Sequence, residues 1–271
     1  MSEQVEADGR LFADQIKSCC AALYASDWAR LLLGDSFHPG GPALTLRLGE
    51  MLGIGPGARV LDVAAGSGTS AIHLAQRFDC RVTGVDFSYE SVRTANERAR
   101  EAGLADRARF VEGDAERLGF EDGSFDAVVC ECAFCTFPDK ASATAEFARV
   151  LRPGAKLGLA DLTRAGALPD SLEGLLAWIA CLGDARPLDE YAAYLRGAGF
   201  AEPVVEDHGD ALREMVVSIR GRLLGAEVLA KLGRLQLPVG SLEQAKQLAT
   251  AAASAIDEER LGYSLLVAAH L

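Results

Sequence analysis

Seven cysteines lie along the 271-residue chain, and three of them, Cys130, Cys132 and Cys135, fall within V-V-C-E-C-A-F-C-T-F-P-D-K. Cys181 sits in W-I-A-C-L-G-D, while Cys19 and Cys20 are adjacent near the N-terminus. Thiolates are soft ligands and nucleophiles, so a set of this kind suits a soft metal or metalloid. The C-x-C-x-x-C run lacks the paired C-x-x-C spacing of structural zinc sites. A second chemical segment, V-L-D-V-A-A-G-S-G-T from Val60 to Thr69, puts Asp62 on a β-rich run and Gly66 and Gly68 in the turn after it. Glycine there lets backbone N–H groups approach a ligand closely. Gly66 to Ala71 also fits the G-x-G-x-x-G/A dinucleotide pattern, which keeps a nicotinamide dehydrogenase in view. Asp62 favours a cationic amino-acid group over a pyrophosphate. Asp86, closing Gly84-Val85-Asp86, can accept both ribose hydroxyls, and Asp114, in Glu112-Gly113-Asp114-Ala115, can accept from an adenine amino group.

These residues need strand ends to carry them. From Arg59 the pattern alternates: strands over 59–65, 80–87, 108–114, 124–134 and 155–163, with helices over 69–78, 88–103 and 140–154 between them. Ser88 is the expected N-cap of the second helix, and Pro153 and Gly154 the stop of the third. Such alternation implies a parallel sheet covered on both faces. Before it, Leu11, Phe12, Ile16, Cys19, Cys20, Leu23 and Tyr24 recur at helical spacing, Gly34 can supply a left-handed cap, and 43–53 is a short amphipathic helix. After it come helices over 168–183, 188–199, 210–232 and 241–260, a strand over 203–208, and a terminal strand over 263–270 suited to an antiparallel edge. The division expected is an N-terminal helical lid over 1–58, an α/β core over 59–208, and a helical insertion with the terminal strand over 209–271.

Lys and Arg number 27 against 39 Asp and Glu, a net charge of −12, so nucleic acid and anionic membrane surfaces are disfavoured partners. No apolar run reaches membrane-spanning length and MSEQVEADGR is polar, which points to a cytoplasmic location. Seven irregularly spaced thiols in a reducing compartment do not form a disulfide framework.

The ordered set resembles the class I S-adenosylmethionine-dependent methyltransferases from about Arg59 to Asp161. DVAAGSGT looks like the first motif of that family, with Ala64 where its first glycine is usual, GVDFS the second, EGDAERLGFEDGSFDAVVC the third and fourth, and RVLRPGAKLGLADL the fifth. The resemblance implies a Rossmann-like, doubly wound, mostly parallel seven-stranded sheet with S-adenosyl-L-methionine as cofactor. It implies that Asp62, Ala64, Gly66 and Gly68 hold the methionine part, Asp86 with Phe87 the ribose, and Asp114 with Ala115 the adenine, with Glu131 contributing to the same site.

Within that class the chain is similar to the arsenite methyltransferases. Cys132 precedes Pro138-Asp139-Lys140, and Asp161-Leu162 to Leu168-Pro169 leads to Cys181-Leu182-Gly183, as family cysteines do. The resemblance implies Cys132 and Cys181 as arsenic ligands, with Cys135, Cys20 or Cys19 competing for a third place. Glutathione or another thiol is the implied reductant. The family's further cysteine before its first motif has no counterpart in Ser36 to Gly41, and its extended C-terminal region is not recognisable in 210–260. Trivalent arsenic held by thiolates keeps a lone pair and carries no proton, so its methylation needs no general base. Cys80 and Cys130 read as core packing, which competes for Cys19 and Cys20 as well. His38 can contact substrate or cap a loop, and Trp178 and Phe134 can line an acceptor pocket or belong to the core. An organic acceptor with the cysteines only packing, and a thiol-based metalloid-binding protein without turnover, are the alternatives.

Overall fold

The computed structural model describes residues 17–20, 24, 26, 31–34, 37–168, 172, 181–182, 184–232 and 241–271. Its strands are β1 (Arg59–Val63), β2 (Arg81–Asp86), β3 (Ala108–Glu112), β4 (Phe125–Glu131), β5 (Leu151–Arg164), β6 (Val204–Asp207) and β7 (Leu261–Ala269). Its helices are α1 (Gly41–Leu52), α2 (Thr69–Phe78), α3 (Tyr89–Glu101), α4 (Lys140–Val150), α5 (Leu188–Gly197), α6 (Gly209–Lys231) and α7 (Ser241–Asp257). Residues 17–20 and 31–33 are also helical, and Gly34 follows the latter at φ 84°.

One sheet of order β3-β2-β1-β4-β5-β7-β6 joins all seven strands. The first five run parallel, and β7 pairs antiparallel with both β5 and β6. The terminal strand therefore lies inside the sheet, and β6 is the edge, contrary to expectation. Composition explains the exchange: β7 is buried along nearly all its length, whereas Val204 and Val205 of β6 are exposed. Inside the sheet, both faces of an apolar strand leave water.

Alternation along each strand divides the core. Val60 and Val129 face one layer, with Leu48 of α1, Leu74 of α2 and Ala95 of α3. Leu61, Val128 and Cys130 face the other, with Phe147 of α4 and Tyr191 and Leu195 of α5. Side chains of this size contribute about 1.5–3 kcal/mol each when fully buried. Ser88 caps α3 as expected, its hydroxyl accepting from Ser91 N at 3.2 Å.

Two boundaries differ from expectation. Helix α4 stops at Val150, and Pro153 and Gly154 lie within β5, where the pairing with β4 is irregular. Proline disfavours helical geometry at the residue before it, so the helix ends early, and an irregular stretch of strand tolerates the missing N–H. Strand β4 stops at Glu131, because Cys132 takes a left-handed φ of 52° and Phe134–Thr136 form a single 3-10 turn. The expected helix over 168–183 falls almost wholly outside the described residues.

Parallel neighbours on both sides of β1 make its carboxyl end a switch point, where connections leave toward opposite faces and open a crevice.

Candidate active site

At that end lies a cavity of about 570 Å³. Its walls come from the turn after β1 (Ala64 to Ser67), the end of β2 (Asp86, Phe87), the end of β4 (Glu131, Cys132), and His38, Tyr24, Cys20 and Lys17 from the N-terminal part. The glycine-rich turn is built on left-handed residues, with φ 57° at Ala64, 53° at Gly66 and 81° at Gly68. A Cβ on Gly68 would stand 2.6 Å from Phe110 Cζ, so that position admits no side chain. Asp86 closes the turn, accepting from Gly66 N at 2.8 Å and from Ser88 N at 2.9 Å. Burial raises its pKa, and the two amide donors work against the rise.

Asp62 is 2% exposed, and its Oδ2 has no hydrogen-bond partner. Burial pushes its carboxyl well above the usual range, and the charges of Glu131 and Asp86 push the same way. Three carboxyls around one crevice are an environment that a bound cation relieves. Glu131 is held by Thr45, whose Oγ1 lies 3.0 and 3.1 Å from its two oxygens. His38 Nε2 lies 3.3 Å from Thr45 Oγ1, 3.4 Å from Ser70 Oγ and 3.8 Å from Glu131 Oε2.

The residues expected at the adenine lie outside that wall. Asp114 and Ala115 are not among the residues lining the cavity; both Asp114 oxygens take Lys17 Nζ, at 2.8 and 3.0 Å, and Glu116 Oε2 takes it at 2.5 Å. Burial alone would lower the Lys17 pKa, but these bonds outweigh it and raise it. Lys17 thus fastens the N-terminal segment to the loop after β3.

The thiols divide sharply. Cys132, Cys135 and Cys181 come together: Cys181 accepts from the thiols of the other two and from Tyr24, whose hydroxyl is 3.3 Å from its sulfur. With those donors and the charge of Lys140, the Cys181 thiol falls well below its ordinary pKa, while Cys132 and Cys135 rise well above theirs. Within the cluster the direction of these shifts favours proton loss at Cys181 over Cys132 and Cys135. When protonated, Cys181 donates to Cys132 O, 3.2 Å away. Cys132 and Cys181, at φ 52° and 63°, are two of the five non-glycine residues of positive φ among the described residues, a conformation that surrounding structure must impose. Beneath the cluster, Asp161 accepts from Cys135 N at 3.0 Å and Leu162 N at 2.8 Å, and burial with the Cys181 charge raises it to about 7.

Cys20 is buried and lines the cavity, its thiol pushed up to about 11 by burial and the charges of Cys181 and Cys19; Cys19 itself is exposed. Cys80 and Cys130 are wholly buried, one in each core layer. Phe134 belongs to the core as well, its ring 5.8 Å from those of Phe137 and Tyr191. Trp178 lies outside the described residues. Among the described residues no group of three or more His, Cys, Asp or Glu stands ready as a metal site. Sequence reasoning passed over Tyr24, Thr45, Lys17 and Asp161 as site residues. Tyr24 follows Cys20 by one helical turn, and Thr45 is a hydroxyl among the apolar residues of α1, so weak signals existed for both.

Residues 60–154 match the methyltransferase domain family. Methyltransferase GfsG of Streptomyces halstedii is 33% identical over 237 residues, covering 86% of this chain and 82% of that protein. The chain belongs to the class I S-adenosylmethionine-dependent methyltransferases. Other members of the class similar to it include 27-O-demethylrifamycin SV methyltransferase of Amycolatopsis mediterranei, 38% identical over 60% of this chain and 61% of that one. An arsenite methyltransferase of Aquipseudomonas alcaligenes is 33% identical over 70% of this chain and 58% of that one. Among solved structures, Haemonchus contortus phosphoethanolamine N-methyltransferase 2 with S-adenosylhomocysteine has a TM-score of 0.76 at 22% identity, covering 95% of this chain and 59% of that one. The cofactor of this methyltransferase is S-adenosylmethionine, and the site fits it: the unpartnered Asp62 oxygen suits an ammonium, and the Cβ side of Gly66 faces open space in the turn.

Proposed function

We propose that this methyltransferase methylates trivalent arsenic, or a soft acceptor of the same kind, held by Cys132, Cys135 and Cys181. The observation that carries the reading is the contact of Cys132 and Cys135 with Cys181, with Cys132 in the wall of the cofactor cavity. Asp62 and Glu131 would hold the methionine ammonium, and Asp86 the ribose hydroxyls. S-adenosylmethionine supplies a methyl carbon on a positively charged sulfur. Each thiol forms one As–S bond and displaces one hydroxyl of arsenite, which leaves as water with the proton of that thiol. Thiolate ligation leaves the arsenic lone pair free, so the protein's task is positioning, and no side chain has to remove a proton. Cys132 lines the cavity and sets the direction in which the acceptor faces.

A second reading, methylation of a hydroxyl on an organic molecule, is favoured by one observation: the buried His38, beside Glu131, lines the cavity where a general base would act. The two readings separate in one assay. Incubation with S-adenosylmethionine, arsenite and glutathione, with chromatographic separation of arsenic species, yields methylated arsenic in the first case. That product disappears in Cys132→Ser and Cys181→Ser. No methylated arsenic, or undiminished product in both variants, excludes the first reading.

A further inference from the structure

Lys140 is a buried cation that takes no part in the proposed methyl transfer. It is 4% exposed and heads α4, directly after the turn that carries Cys135. Its ammonium donates to Cys135 O at 3.1 Å, to Phe137 O at 3.0 Å and to Asp184 Oδ2 at 2.5 Å. An ammonium has three hydrogens, which these three acceptors match in number. Asp184 follows Cys181 by three residues and is also paired with Arg186. The two tied segments, the turn after β4 and the stretch after β5, are thus joined at one buried cation.

A buried ion pair is weak support for a fold, since well-packed apolar side chains often serve as well. The placement of this one gives it another role. We propose that Lys140 is a positioning residue: it clamps the Cys135 turn to the Cys181 segment and so keeps the thiols of Cys132 and Cys135 against Cys181. Removing it would leave two buried carbonyls and a carboxylate short of a donor and release the segments from each other.

The charge works in the same direction. The described groups that act on Cys181 are the thiols of Cys132, Cys135 and Cys20, the hydroxyls of Tyr24, Tyr191 and Tyr263, the carboxyl of Asp161 and the ammonium of Lys140. Of these only Lys140 is cationic, and it favours the Cys181 thiolate.

The test is the ultraviolet absorbance of the Cys181 thiolate, obtained by subtracting the Cys181→Ser titration from that of the parent, with S-adenosylmethionine affinity measured in parallel by calorimetry. In Lys140→Met the midpoint moves to higher pH, with about a tenfold loss of thiolate signal at a pH below both midpoints. Lys140→Arg restores most of the signal, and cofactor affinity stays within about twofold in both, because the clamp lies away from Asp62 and Asp86. A residue that merely supported the fold would change thermal stability or cofactor binding and leave the titration in place. Asp184→Leu, similar in size, removes the acceptor and keeps the cation. Loss of the Asp184 charge alone would move the midpoint to lower pH, so a move to higher pH marks release of the clamp; this variant also covers the case in which Lys140→Met does not fold. Parent-like titration of Cys181 in the folded variants overturns the proposal. The readout needs no methyl acceptor, so its failure and a failure of the arsenic reading are separate results.

Discussion

Replacing Asp161 with Asn tests the electrostatics beneath the thiol cluster through stability alone. In the folded protein burial, assisted by the Cys181 charge, raises this carboxyl from its ordinary 3.8 to about 7. Between those values the folded state holds a proton that the unfolded chain has released. Its contribution to stability is therefore fully present at low pH, declines as pH rises toward 7 and is level above it. A shift of about three pH units corresponds to ~4 kcal/mol in all, of which ~2–3 kcal/mol falls between about pH 5 and pH 8. Asn retains an acceptor for Leu162 N but turns an NH₂ toward Cys135 N, a pH-independent cost of about 1–3 kcal/mol. Cys181, whose lowered pKa runs the other way, is present in both proteins. Urea unfolding at the two pH values should give a parent whose stability falls by ~2–3 kcal/mol more than that of Asp161→Asn. Equal pH dependence of the two would refute the assignment of a proton to Asp161.

Other substitutions probe the cofactor end and the core. Asp86→Asn lowers S-adenosylmethionine affinity roughly 10- to 100-fold by calorimetry, because charge-assisted bonds of about 1.5–3 kcal/mol weaken. Gly84→Ala pushes a methyl group into the Phe110 ring and to 2.9 Å from the Ala65 Cβ, and lowers the thermal midpoint by an overpacking cost of about 1–3 kcal/mol. Cys130→Ala, in the opposite core layer, reduces the melting temperature while methyl transfer per folded molecule is retained. Loss of transfer in that variant would mean that the thiols do not divide as described.

Much of the sheet was legible because its strands are short apolar runs bounded by turn residues, and Ser88 announced its own helix. The placement of Asp62, Gly66 and Asp86 around one cavity was legible for the same reason: they lie at or just after the ends of β1 and β2, where the order of elements fixes their place. Position inside the sheet was not. That β7 lies between β5 and β6 follows from burial on both faces, which no local pattern separates from an edge strand. For Asp114 the type alone suggested adenine, and no local pattern showed that Lys17, nearly a hundred residues earlier, takes both its oxygens. The thiol cluster was half legible. Local spacing singled out Cys132 and Cys181, but a third place among Cys135, Cys20 and Cys19 depended on the left-handed turn at Cys132. That turn aims Cys135 back at the cluster, and only long-range contact through Lys140 and Asp184 fixes its partner segment.

The most direct measurement of the central claim is methyl transfer from labelled S-adenosylmethionine to arsenite by the parent and by Cys132→Ser, Cys135→Ser and Cys181→Ser, with cofactor affinity measured on each. The account predicts methylated arsenic from the parent, a loss of at least about tenfold in each variant, and cofactor binding unchanged within about twofold. Transfer that persists in all three variants, or no labelled arsenic from a parent that binds the cofactor, would contradict it.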